Sequence, residues 1–544
     1  MTSNADSGPG TLRDAILQAA ANGTATQDII QFNLPDLSVS GRTIALQSQL
    51  PDLTSNLIID GTTQPGAKFG VSDAKVKITN KFVNKTNLNI FYSVGGDQIE
   101  IYGFWLYGDM TGWGGSDFHF RNFGTIRIGA PSKGNLVEMG NIGIETGKVC
   151  YFQSNICWTD ITGEVPRGGD MTTVGCENLT IGGSKALGNT FAGSVNVICT
   201  VKSTFEISYN NMGVDVTGTQ APYGFNIMTT RLNIEGPIGD NGQPEFVPVS
   251  GVVKNNIIAD VYASILLRIY GLGGKVTVQG NAFNTNFTGT LNFNTYSQSI
   301  ASFGIACAGN KDVLIGGDDP SQKNLIAYCQ DGIEYGNDAK YTITKNSIFC
   351  VGENSFIGFT GLDKLPQVKI SSVTSNGVTG TATPGSNVEL FHADCSCYIP
   401  NPRDYFTTVK ADANGNWTYN GPVGGYTMAS ATLDSLTSLF TGLNIDDSKV
   451  VITNYTCNST GSITGIVTQY TSGFQWFNDK NQVVGTDLDL KNVPPGTYTL
   501  KINSGTTCEL TKVYQILDNS LVVNTSNMKI KSATCGFSNG YIWG

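Results

Sequence analysis

Ile207-Ser208-Tyr209-Asn210-Asn211-Met212 recurs in outline as Val252-Val253-Lys254-Asn255-Asn256-Ile257, Val278-Gln279-Gly280-Asn281-Ala282-Phe283 and Ile343-Thr344-Lys345-Asn346-Ser347-Ile348. Each copy sets an apolar residue three positions before an Asn and another two positions after it. Asn210, Asn255, Asn281 and Asn346 are separated by 45, 26 and 65 positions, close to two, one and three times a unit of about 22 to 26 residues. A second pattern agrees: Ile128-Gly129-Ala130 with Asn135, Ile181-Gly182-Gly183 with Asn189, and Ile315-Gly316-Gly317 with Asn324. Cysteines give a third, since Cys307, Cys329 and Cys350 lie 22 and 21 apart and Cys176 and Cys199 lie 23 apart. Repeats of this length stack equivalent positions at the strand spacing of roughly 4.8 Å. The pattern therefore predicts a parallel β-helix from about residue 27 to 361, with asparagines bonding from coil to coil. Cys307, Cys329 and Cys350 are expected to point the same way, as buried thiols.

Composition supports an all-β chain of several domains. At 544 residues it exceeds a single ordinary core. Only 14% of residues are charged while 66 are Gly, which suits many short strands joined by tight turns. The net charge of −10, with scattered basic residues, argues against nucleic acid and anionic membranes as partners. Apolar runs stay too short to cross a bilayer, so no membrane insertion is expected. Met1 precedes sequence that already reads as structured, which suggests a processed or trimmed N-terminus. Twelve cysteines point to an oxidising, extracellular compartment.

One helix is expected, over 11–20, with Thr11 as N-cap and Leu12, Ile16 and Ala19 on one face. It would cover the open edge of the first coil. Short strands follow at Ile29-Ile30-Gln31-Phe32, Thr43-Ile44-Ala45-Leu46 and Leu57-Ile58-Ile59-Asp60.

The opening Ser3-Asn4-Ala5-Asp6-Ser7-Gly8-Pro9-Gly10-Thr11-Leu12-Arg13-Asp14-Ala15-Ile16, with Ile59-Asp60-Gly61-Thr62-Thr63-Gln64-Pro65-Gly66, resembles the first coils of bacterial right-handed parallel β-helix surface proteins. That resemblance covers 1–361, with the run 68–125 departing from a clean repeat as a possible insertion. From 367 to 444, stretches such as Ala411-Asp412-Ala413-Asn414-Gly415-Asn416-Trp417 read as hairpins and are similar to immunoglobulin-like modules of surface adhesins. A further immunoglobulin-like module is expected over 449–519. Its Thr456-Cys457-Asn458-Ser459-Thr460-Gly461 returns as Thr534-Cys535-Gly536-Phe537-Ser538-Asn539-Gly540, the start of another repeat over 528–544. The pair resembles the tandem repeats of gliding-motility adhesins exported by the type IX route in Bacteroidota. The resemblance implies a secreted, cell-surface protein, export and cell-surface machinery as partners, and a stalk beyond Gly544. Cys457 and Cys508 share the small module and are expected to staple it.

Catalytic chemistry finds little support. Polysaccharide lyases on this fold need clustered carboxylates, Ca²⁺ and a basic residue, and polygalacturonases need grouped aspartates. The doublet Asp318-Asp319 reads as a turn, Asp446-Asp447 lies at a module junction, and Arg268 lacks the partners of a polygalacturonase motif. His119 and His392 are the only histidines, so no Ser-His-Asp triad assembles. His392 with Cys395 and Cys397 matches no zinc spacing, and no metal or cofactor is expected.

The strongest binding signal is the aromatic run from Tyr102 to Phe123. Tyr102, Trp105, Tyr107, Asp109, Trp113 and Asp117 set ring faces beside carboxylates, a combination suited to sugars. The expectation is a non-enzymatic adhesin or surface-display protein, with a β-helix head on a repeat stalk and a glycan or surface ligand. The alternative is a secreted polysaccharide lyase or glycoside hydrolase with accessory modules.

Overall fold

The computed structural model describes residues 1–543 apart from 55, 81–88, 108–115, 222–230, 240–243, 261–264, 294–302, 337–339, 353, 359–363, 398–399, 443–444, 469–472, 506–507 and 521–524. The chain is all-β with one α-helix and large parallel sheets. It divides into two compact units. The first is Met1–Ile370 with Gly380–Tyr419 and Gly424–Gly442, and the second is Ser371–Thr379 with Asn420–Val423 and Leu443–Gly544. The boundary expected near 361 falls inside the first unit.

In the first unit the chain climbs a stack, contributing three short strands to each rung. One rung holds Ser194–Ile198, Ser203–Ser208 and Asn211–Met212, and the next holds Leu232–Glu235, Val249–Lys254 and Ile257–Ile258. Each strand pairs in parallel with its counterpart one rung on, as in Val195↔Leu232, Ile207↔Val253 and Met212↔Ile258. Alternation sends Val195, Val197, Phe205, Ile207 and Met212 into one continuous apolar interior. The short third strands build an 11-stranded sheet of their own. The described parts of the expected insertion join these columns, for Val76–Asn80 pairs with Phe104–Tyr107 and Phe91–Val94 with Ser116–Ile128.

Both ends of the stack are covered. The helix is Leu12–Asn22, N-capped by Thr11, and Leu12, Ile16 and Ala19 are buried in the stack's core. At the other end Tyr341 pairs with Leu436, the Tyr335 hydroxyl donates to Thr437 O at 2.9 Å, and Ile343 N donates to Thr437 Oγ1 at 2.9 Å. The antiparallel strands Asn387–Asp394, Asn401–Lys410 and Thr427–Leu433 supply this cover, which Cys350–Cys397 fixes covalently. Unpaired strand edges invite further pairing, and both caps remove that exposure.

The asparagine ladder forms, with Asn256 in place of Asn255 and Asn155 as an added member. Asn135, Asn155, Asn189, Asn210, Asn256, Asn281, Asn324 and Asn346 are all buried. Each of the first seven donates its backbone N–H to the next Asn Oδ1 at 2.9–3.3 Å. Asn256 replaces the expected Asn255, because the position before the ladder Asn takes the left-handed turn. Asn255 (φ 56°), Tyr209 (φ 61°) and Lys345 (φ 51°) occupy it, and Asn tolerates that conformation well.

Cys307 and Cys329 are buried free thiols as expected, but the column of Cys307, Cys329 and Cys350 does not form. Cys307 pairs across the sheet with Tyr335, whereas Cys329 follows the strand Leu325–Ala327 in a different column. Cys350 is disulfide-bonded rather than free. Loops of unequal length between columns break the correspondence between sequence spacing and rung position. The expected Cys457–Cys508 staple is also absent, since Cys457 is an exposed free thiol and Cys508 is disulfide-bonded.

The core of the second unit lies between two antiparallel sheets. Val451–Thr453, Gly461–Thr464 and Leu490–Val493 form one, and Val483–Gly485, Phe474–Phe477, Gly496–Ile502 and Leu510–Ile516 the other. Ile463 and Leu490 from the first sheet share a core with Trp476, Leu500 and Ile516 from the second. The hairpin of Lys529–Lys531 and Tyr541–Trp543 repeats the pairing of Val451–Thr453 with Gly461–Thr464.

Candidate functional site

Among the described residues of the aromatic run, the exposed ring is Tyr107. Tyr102, Trp105 and Asp117 are buried, Tyr107 is 37% exposed, and Asp109 and Trp113 lie outside the described residues. Strand alternation does turn Trp105 away from the main core that holds Phe104 and Leu106, but Phe69, Ala74, Leu136 and Ile156 cover it in a satellite cluster. The Trp105 indole N–H donates to Glu138 Oε2 at 2.7 Å, and Lys77 Nζ sits 3.4 Å from a Trp105 ring centroid. Burial holds the Lys77 pKa down. The Tyr102 hydroxyl donates to Glu100, and burial raises its pKa. Asp117 Oδ2 is buried without a hydrogen-bond partner, and desolvation pushes this carboxyl well above its usual range.

The other sequence candidates are structural. Cys397 is bonded to Cys350 and Cys395 is also disulfide-bonded, so neither offers a thiolate beside His392. Asp319 caps a 3₁₀ turn at Pro320–Gln322, Asp318 pairs with Lys345 at 2.6 Å, and Arg268 pairs with Glu235. Among the described residues no group of three or more His, Cys, Asp or Glu side chains is placed to hold a metal ion.

A different feature organises the outer surface. Asp160-Ile161-Thr162-Gly163, Asp215-Val216-Thr217-Gly218 and Asn286-Phe287-Thr288-Gly289 begin three residues after Cys157, Met212 and Phe283. Those residues belong to one column of the stack, where Cys157 pairs with Phe191, Phe191 with Met212, Met212 with Ile258 and Ile258 with Phe283. The motif thus recurs on alternate rungs, about 9.6 Å apart. The first residue folds each loop: Asp215 Oδ1 accepts from Thr219 N at 2.8 Å and Gln220 N at 3.0 Å, and Asn286 Oδ1 accepts from Thr290 N at 2.9 Å. Paired hydroxyls follow, Thr217 with Thr219 at 2.6 Å and Thr288 with Thr290 at 2.8 Å. Asp109-Met110-Thr111-Gly112 has the same Asp-x-Thr-Gly pattern and follows Leu106 by the same three residues, although it lies outside the described residues.

Between the loops at 215–220 and 286–291 lies a cleft of about 880 Å³. Thr190, Asn211 and Ile257, from three successive rungs, line it. Thr217, Thr219, Phe287 and Thr288 come from those two loops, while Lys185, Tyr209, Lys254 and Gln279 come from the turns that carry the asparagine ladder. Tyr209 is 37% and Phe287 51% exposed. Counting from the rung of Thr190 to that of Gln279, the cleft follows four rungs, a length of ~14 Å along the stack. Open length, two ring faces and many hydroxyl and amide groups suit an extended polar ligand. Sequence reading missed this site because its signal is a four-residue loop motif at irregular spacings of 55 and 71 residues, regular only once rungs are counted.

No family model and no curated protein matches this sequence. Three solved structures show slight similarity. A biofilm-associated protein BSP domain is 13% identical, with a TM-score of 0.13 over 28% of this chain and 30% of its own. A 282-residue C-terminal fragment of intimin, in complex with the intimin-binding domain of its translocated receptor, is 18% identical, with a TM-score of 0.12 over 29% of this chain and 66% of its own. A chimeric titin Z1Z2 tandem is 11% identical, with a TM-score of 0.12 over 28% of this chain and 99% of its own. Scores this low carry no argument about function. Among the described residues no helix is long and apolar enough to cross a membrane.

Proposed function

We propose that this chain is part of a secreted surface adhesin. Its parallel stack acts as a right-handed β-helix head, and its antiparallel regions act as immunoglobulin-like modules of a stalk. The head holds an extended glycan in the cleft between the loops at 215–220 and 286–291. The observation that carries this reading is the cleft itself, a rigid trough following four rungs with Tyr209 and Phe287 at its sides. Rigid placement of ring faces and hydroxyls lowers the ordering cost of binding a polymer. Disulfide bonding of Cys350, Cys395, Cys397 and Cys508 supports an oxidising, extracellular location. The repeat shared by 456–465 and 534–544 supports a tandem stalk and export of the type IX kind.

The test is affinity electrophoresis of the full chain through gels containing soluble polysaccharides. Retardation that Tyr209→Ala and Phe287→Ala both reduce is the expected result. Retardation unaffected by either change contradicts the cleft, and release of new reducing ends or unsaturated sugars contradicts a purely adhesive role.

A further inference from the structure

We propose that the cleft takes a polyanionic sugar chain, carboxylated or sulfated, laid along the stack axis. The proposal rests on the reading of the cleft as a glycan site and adds the ligand's charge. The protein has 43 acidic and 33 basic residues, for a net charge of −10. Yet no described lining residue of the cleft, or of the smaller hollow of about 240 Å³ that continues it past Phe287 and Ser321, is Asp or Glu. Lys185 and Lys254 line the first part and Lys323 the second. A cation-lined trough on an anionic protein concentrates anionic ligands there.

The lysines follow a structural row. Lys133, Lys185, Lys254, Lys323 and Lys345 each precede a ladder asparagine by one to four residues: Asn135, Asn189, Asn256, Asn324 and Asn346. They therefore share one ridge of the stack. The outer two are neutralised, Lys133 by Asp60 and Lys345 by Asp318, each at 2.6 Å. Lys254 pairs with Glu206 at 3.0 Å, and Glu206 is not among the cleft's lining residues. Lys185 and Lys323 form no ion pair among the described residues, and they bracket the cleft and its continuation. A ligand with a repeated negative charge would meet a repeated positive one, while Tyr209 and Phe287 would contact its ring faces.

The test measures binding of the full chain to polygalacturonate and to fully methyl-esterified polygalacturonate, which keeps the backbone and removes the charge. The wild-type protein should retain the acid and bind the ester about tenfold more weakly, with retention of the acid falling as salt rises. Lys185→Gln combined with Lys323→Gln should weaken binding of the acid about tenfold, each exposed ion pair accounting for part of that loss. The ester should be indifferent to the change, and Lys185→Arg with Lys323→Arg should restore affinity. Equal binding of acid and ester, both lost in Phe287→Ala, would overturn the charge assignment and leave the glycan cleft standing. Binding indifferent to Phe287→Ala and to the lysine changes would overturn both. Failure to retain either polygalacturonate or a sulfated galactan, or tighter binding of single-stranded DNA than of both, would also overturn the proposal.

Discussion

The asparagine turn and the Asp/Asn-x-Thr-Gly loops sit on the two sides of the same short strands, yet they are held in opposite ways. Asn210 is bonded across rungs: it accepts from Asn189 N and donates to Asn256 Oδ1 and to Ile181 O. The Asp215 carboxylate bonds within its own loop, to Thr217, Thr219 and Gln220. The first arrangement ties each rung to the next. The second folds each loop's turn around its own first residue. Contacts that cross repeats fix the scaffold, and contacts that close within a repeat are where binding surfaces can diversify.

Replacing one residue of each kind tests this contrast. Asn210→Ala should have the largest effect, ~3 to 5 kcal/mol, because it strands buried backbone groups on both neighbouring rungs. Chemical denaturation measures it, and a loss no greater than that of Asp215→Ala would break the comparison. Next in size is the weld at the end of the ladder. Cys350→Ala with Cys397→Ala opens a 47-residue loop and should cost about 2 to 4 kcal/mol, read as a lower Tm in thermal denaturation.

Asp117→Asn probes a cross-rung interior that is imperfectly satisfied. Burial raises the folded-state pKa of Asp117 above the unfolded value near 3.8, so the folded state holds the proton longer and stability declines as pH rises between the two values. The Asn variant should therefore melt higher than wild type at pH 8, with the gap closing as pH falls toward 4. Asp215→Ala should cost only ~1 kcal/mol while markedly weakening polysaccharide retention. Smallest is a chemical readout: native iodoacetamide should label Cys457 and Cys535, which are exposed, while the six buried free thiols react only on unfolding. Burial pushes Cys176 and Cys329 up to about 12, which removes the reactive thiolate.

The scaffold was largely legible because its determinants are local or strictly repeated. Thr11 and the spacing of Leu12, Ile16 and Ala19 define the helix, and recurrent asparagines define the ladder turn. Asn255 misled because two adjacent asparagines fit the pattern equally, and only backbone handedness distinguishes them. The site was far less legible. Trp105 obeys strand alternation and faces outward, but burial by Phe69 depends on a loop from elsewhere in the chain, which no local pattern encodes. Asp109, read as a sugar-facing carboxylate, lies outside the described residues and shares an Asp-x-Thr-Gly sequence with the loop-folding Asp160 and Asp215. The cysteine spacings failed for the same reason as the loop motif escaped notice: rungs, not residues, are the unit of regularity.

The central claim is that the cleft beside the ladder turn, and not the aromatic run, is the binding surface. Hydroxyl-radical footprinting of the full chain with and without polygalacturonate tests it most directly. The account predicts protection of Tyr209, Phe287 and Ile257, with no change at Tyr102, Trp105 or Tyr107. Protection confined to the stretch from Tyr102 to Phe123, or to residues beyond Gly442, would contradict it.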